Sequence, residues 1–84
     1  MKTRQIFSTA EIQLGRVCDQ MQLLQHEIKG LKVRHERATQ QQQLGMMQQT
    51  ELQLDILKET YKMYYSAAER ITMKMEELAQ IQTS

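Results

Sequence analysis

Apolar residues recur at alternating spacings of three and four along two stretches of this chain, and the two stretches are out of step with each other. The first runs through Leu14, Val17, Met21, Leu24, Ile28 and Leu31. Phe7 and Ala10 extend it backwards, and His35 and Ala38 continue it weakly before Gln42 and Gly45 end it. The second runs through Leu54, Leu57, Tyr61, Tyr64, Ala68, Ile71, Met75 and Leu78. Such spacing places side chains on one stripe of a helix, with a repeat of seven. Counted in sevens, the second stripe does not continue the first. The offset is not the three- or four-residue insertion that a continuous coiled coil absorbs. Two helical halves are expected, with a break in pattern between Ala38 and Leu54.

Residue usage supports helix throughout. The chain has no proline, no tryptophan, one phenylalanine and three glycines among 84 residues. Gln is the commonest residue and, with Leu, Glu, Lys, Met and Ala, makes up more than half of the chain; these are good helix formers, whereas aromatic residues and valine, which favour strands, are scarce. The fold class predicted is all-α, in one domain spanning 1–84. A single core of that size is marginal unless the chain assembles with another.

Three local features favour a turn over a continuous helix. Gly45 is a candidate for a left-handed C-cap and would weaken a helix interior. Thr50-Glu-Leu-Gln53 has the form of a capping box, which satisfies free N–H groups at a helix start, as Ser8-Thr-Ala-Glu11 does for the first helix, and polar Gln-rich sequence flanks Gly45 and Thr50. The expectation is an antiparallel hairpin with helix 1 over about 8–44, a turn at about 45–49 and helix 2 over about 50–82. Folding about Gly45–Met46 would set Leu14 against Leu78, Val17 against Met75, Met21 against Ile71 and Leu24 against Ala68. It would also set Ile28 against Tyr64, Leu31 against Tyr61, His35 against Leu57 and Ala38 against Leu54. The alternative is one long continuous coiled-coil helix. In that reading Ile12, Val33, Met47, Leu52, Ile56, Met63 and Met73 let the seam change sides.

In a hairpin those same residues are surplus. Leu52, Ile56 and Met63 on one half, with Leu23 and Val33 on the other, would leave apolar area uncovered on a lone hairpin. Burying each is worth about 1.5–3 kcal/mol, and monomers seldom leave such patches open. Association is therefore expected, as a four-helix bundle from two hairpins or by docking onto partner helices. Tyr61, Tyr64 and Tyr65 belong to the same expectation. A tyrosine with an apolar ring and a wet hydroxyl suits the edge of an interface. Filling space opposite Leu31 and Ile28 would explain Tyr61 and Tyr64 as well.

Other chemistry finds little support. The formal charge of +1 gives no strong field toward nucleic acid or anionic membrane. Lys29, Lys32, Arg34 and Arg37 form the most basic segment and are the candidate nucleic-acid contacts. They do not share one stripe, Glu27 and Glu36 dilute them, and no aromatic is interleaved for base stacking. His35 lies on the seam, where it would act as a polar layer that fixes register. His26 lies off it, and neither has a metal-ligand partner at helical spacing, so no metal or other cofactor is expected. Cys18, beside Val17, reads as a small apolar filler. No nucleophile–base spacing, phosphate loop or paired acids suggest an enzyme, and no small-molecule substrate is implied. No apolar run approaches a membrane span, and the start, Met1-Lys-Thr-Arg-Gln-Ile-Phe-Ser, lacks a secretory h-region. With a lone cysteine this suggests an intracellular, cytoplasmic chain, with the nucleus also open.

The function expected is that of a non-catalytic interaction module, a coiled-coil scaffold or adaptor subunit that self-associates or docks on partner helices. A small chaperone for an apolar partner segment and a nucleic-acid-binding bundle are the alternatives.

Overall fold

In the computed structural model, residues 2–83 are described, with side chains described over 4–81. The chain forms two helices, α1 (Lys2–Gln40) and α2 (Leu44–Thr83). They pack against each other as a hairpin 62 Å long and 14 Å across. The continuous helix is thereby excluded. No helix among the described residues is long and apolar enough to cross a membrane.

Both seams point inward as their spacing requires. On α1 the residues withdrawn from solvent are Phe7, Ala10, Leu14, Val17, Met21, Leu24, Ile28, Leu31, His35 and Ala38. On α2 they are Met47, Thr50, Leu54, Leu57, Tyr61, Tyr64, Ala68, Ile71, Met75 and Leu78, with Thr60 and Ala67 beside them. Two helices can enclose little, so among the described residues only Leu24, Ala38 and Leu54, with the polar Thr50, are buried.

The turn falls at Gln41–Gln43 rather than at 45–49. The amide of Gln43 donates to the carbonyl of Ala38 (2.9 Å) and that of Gln42 to Thr39 (3.2 Å). Gln42 has φ 55°. A six-to-one bond enclosing a five-to-two bond, with a left-handed residue between, is a Schellman closure of α1. Gly45, expected to supply the left-handed cap, instead sits in the first turn of α2 with no positive φ. The carbonyl of Gln43 accepts from the Met47 amide at 2.9 Å and so opens α2.

Neither capping box caps a helix. α1 begins at Lys2, ahead of Ser8, because nothing in the first turn breaks a helix and Phe7 adds to the seam. Beside Ser8, within the helix, Thr9 donates to the carbonyl of Gln5 at 2.9 Å. Thr50 lies inside α2 and donates to the carbonyl of Met46 at 2.8 Å. Threonine tolerates a helix interior by this back-bonding.

The register also differs from expectation. His35 meets Thr50, with Nδ1 2.9 Å from the hydroxyl, and not Leu57, seven residues further on. Gln25 donates through Nε2 to the Tyr61 hydroxyl at 3.0 Å, in the same alignment. Carried along the heptads, this places Leu14 across from Ile71, Val17 from Ala68, Met21 from Tyr64 and Leu24 from Tyr61. Toward the turn, Ile28 faces Leu57, Leu31 faces Leu54 and Ala38 faces Met47. Tyr61 and Tyr64 thus do not fill space opposite Leu31 and Ile28. The slip is one whole heptad, so every seam residue stays inward. It brings Phe7 to Leu78 and Ala10 to Met75, and it matches polar His35 with polar Thr50.

Candidate functional site

What the hairpin can offer a partner lies on its surface. Ile6, Ile12, Leu23, Val33, Leu44, Met46, Leu52, Ile56, Met63, Tyr65, Met73 and Ile81 are exposed large apolar residues. Of the surplus residues expected from the sequence, Ile12, Leu23, Val33, Leu52, Ile56, Met63 and Met73 are among them, as is Tyr65, whereas Met47 is half-buried on the seam of α2. Tyr61 and Tyr64 are half-buried on the seam, and Tyr61 is tied to Gln25.

The hairpin has two unlike long sides. Along one, a shallow depression is lined by Glu27, Gly30 and Arg34 of α1 with Gln53 and Ile56 of α2. A second lies further toward the open end, where Ile6, Ala10 and Gln13 meet Ile71, Lys74 and Ile81. One heptad along the same columns stand Leu23 (from Gly30), Met46 (from Gln53) and Met63 (from Ile56). Thr60 and Ala67, the half-buried residues of α2 beyond its seam, continue the Gln53 column. The other side carries Asp55, Lys58 and Lys62 near Ile28 and Tyr61. Lys32 lies one heptad from Gln25 on that side, and Tyr65 one heptad from Lys58.

The expected partner-binding residues are therefore sorted by the fold. Leu23, Ile56 and Met63 share the apolar side. Tyr65 lies on the charged side, and Val33 and Leu52 point outward, opposite the seam. Their helical spacing alone could not reveal this, because the side each helix shares with its neighbour depends on chain direction. Ile6 and Met46, which the sequence reading passed over, complete the apolar side.

The basic segment is divided by the same geometry. Lys29 and Lys32 lie toward the charged side, whereas Arg34 lines the apolar side and Arg37 follows Gly30 by one heptad. All four are exposed. Cys18 is exposed and free, so it fills no gap in the seam as expected of it. Among the described residues no group of three His, Cys, Asp or Glu side chains comes together as a metal site.

Set beside known protein families, curated proteins and solved structures, the chain matches none.

Thr50 is the polar residue that the hairpin encloses, at 2% exposure. Its hydroxyl has one proton, which goes to the Met46 carbonyl at 2.8 Å, with the Met47 carbonyl at 3.1 Å. The same hydroxyl lies 2.9 Å from His35 Nδ1. No buried side-chain polar atom among the described residues lacks a partner.

Proposed function

We propose that this chain is a non-catalytic protein–protein interaction module, a small coiled-coil scaffold or adaptor subunit that works by covering its apolar side with another helical surface. The observation that carries this reading is an excess of surface. The hairpin exposes 7044 Å² for a mass of 9.9 kDa, where a compact monomer of that mass exposes about 5,200 Å². The difference, roughly 1,800 Å², exceeds the ~800 Å² per partner that a standard specific interface hides. Large side chains sit at its edge: Met63 is 71% exposed and Leu23 58%.

The test is whether folding is coupled to association. Thermal unfolding followed by helical circular dichroism is expected to shift to higher temperature as protein concentration rises, since association draws the folded state forward by mass action. A sharp, concentration-independent transition in a monomer that binds no apolar dye would reject the reading.

A further inference from the structure

We infer that the apolar side formed by Ile6, Leu23, Met46, Ile56 and Met63 is the docking face for a second copy of this chain, laid antiparallel to the first about a two-fold axis through the middle of the hairpin. The inference rests on the interaction reading above and gives it an occupant and a geometry.

Heights along the hairpin follow from the His35–Thr50 and Gln25–Tyr61 pairings and the rise of about 1.5 Å per residue. Leu23 and Met63 stand level with each other at mid-length, one on each helix. A two-fold axis there sets each against its own copies, as an isologous contact requires. Ile6 stands near the open end and Met46 near the turn, at nearly equal distances from the middle. The rotation therefore seats Met46 of one copy on Ile6 of the other, where the open-end depression lies.

Charge follows the same pattern. On this side Glu27 stands somewhat above mid-length toward the turn, and Arg16 and Arg70 stand at a similar distance below it. Antiparallel pairing brings Glu27 of one copy to the two arginines of the other. A parallel pairing would instead stack Glu27 on Glu27 and the arginines on each other. Gln13, Gln20, Gln53, Thr60 and Ala67 are uncharged between these points, Arg34 of one copy comes level with Lys74 of the other as exposed long side chains free to splay apart, and small Ala67 and Gly30 let backbones approach. The opposite side, with Lys29, Lys32, Asp55, Lys58 and Lys62, remains solvated. Four helices would then share one core, with apolar positions beside each seam supplying the extra width that a bundle needs over a two-helix pair.

Sedimentation equilibrium of the purified chain from micromolar to millimolar is the experiment, run with Leu23→Glu, Met63→Glu, Val33→Glu and Leu52→Glu variants. A dimer is expected for the unmodified chain. Leu23→Glu and Met63→Glu should each weaken it at least about tenfold, as burying a charge in place of a Leu or Met side chain predicts. Val33→Glu and Leu52→Glu should leave it within about threefold, since both point away from the face. All four positions are exposed in the hairpin, so circular dichroism should report unchanged helix. In a Cys18→Ser background, mixing Ile6→Cys with Met46→Cys chains should give the mixed interchain disulfide in preference to either homodimer.

Association that ignores Leu23→Glu and Met63→Glu would overturn the face while leaving the interaction reading intact. Preference for the Ile6→Cys homodimer would overturn the antiparallel arrangement. A helical monomer at every concentration would overturn the second copy as occupant. If that monomer still binds the dye ANS, the interaction reading survives, and if it does not, both fall.

Discussion

Nδ1 of His35 lies 2.9 Å from the hydroxyl of Thr50, across the hairpin and two helical turns from its bend. This polar layer ties one heptad of α1 to one heptad of α2, and it is the contact by which the observed register is most directly tested. A double-mutant cycle with His35→Ala and Thr50→Val, read by urea unfolding, should give a coupling of about 0.5–1.5 kcal/mol, the worth of one intramolecular hydrogen bond. Had His35 faced Leu57, the two substitutions would simply add.

Bridging the helices tests the same register covalently. With Cys18→Ser, the pair Val17→Cys and Ala68→Cys should oxidise readily within one chain at low concentration. The pair Val17→Cys and Met75→Cys should not, because it is displaced by one heptad, about 10 Å along the axis, against the ~7 Å between Cα atoms that a disulfide spans. Mass spectrometry after peptide digestion distinguishes them. The reverse result would place the turn near Gly45.

The bend makes a prediction of opposite character at two neighbouring residues. Gln42 is held at φ 55°, a region that costs a residue with a Cβ about 1–2 kcal/mol. Gln42→Gly should therefore raise stability, less the roughly 0.4–1 kcal/mol that glycine adds to the freedom of the unfolded chain. Gly45 has nothing within 4 Å of an added Cβ and no positive φ, so Gly45→Ala should also stabilise, by up to about 1 kcal/mol. A left-handed cap at Gly45 would reverse that sign. Chemical denaturation of both variants decides it.

Overall length is a coarser check. Small-angle scattering should give a longest dimension close to the 62 Å of the hairpin, whether the chain is alone or in an antiparallel dimer. A straight helix of all 84 residues would reach about 126 Å. A maximum near the larger figure would rule out the fold-back.

The stripes themselves were legible from residue order alone. A heptad pattern says which side of a helix is apolar wherever that helix goes, and Phe7 through Ala38 and Leu54 through Leu78 all turned inward. The helical fold class was equally plain in a chain without proline. Surplus residues such as Leu23, Ile56 and Met63 could be recognised as exposed because they fall between the stripes. Capping boxes misled: Thr50 has a second use inside a helix, bonding to the carbonyl four residues back, and Ser8 lies within α1 because nothing ahead of it breaks the helix.

Register, bend and sidedness were decided only by the folded pair. A slip of seven leaves both stripes facing inward, so local periodicity is blind to it. What separates the two alignments is a difference summed over the whole hairpin. The observed one pairs Phe7 with Leu78 and Ala10 with Met75, matches His35 to Thr50, and outweighs the strain that Gln42 accepts in a tight turn. Which exposed residues share a side follows from that alignment and from the antiparallel direction of the helices, so Leu23 and Met63 come to stand level on one side only once the chain has folded back.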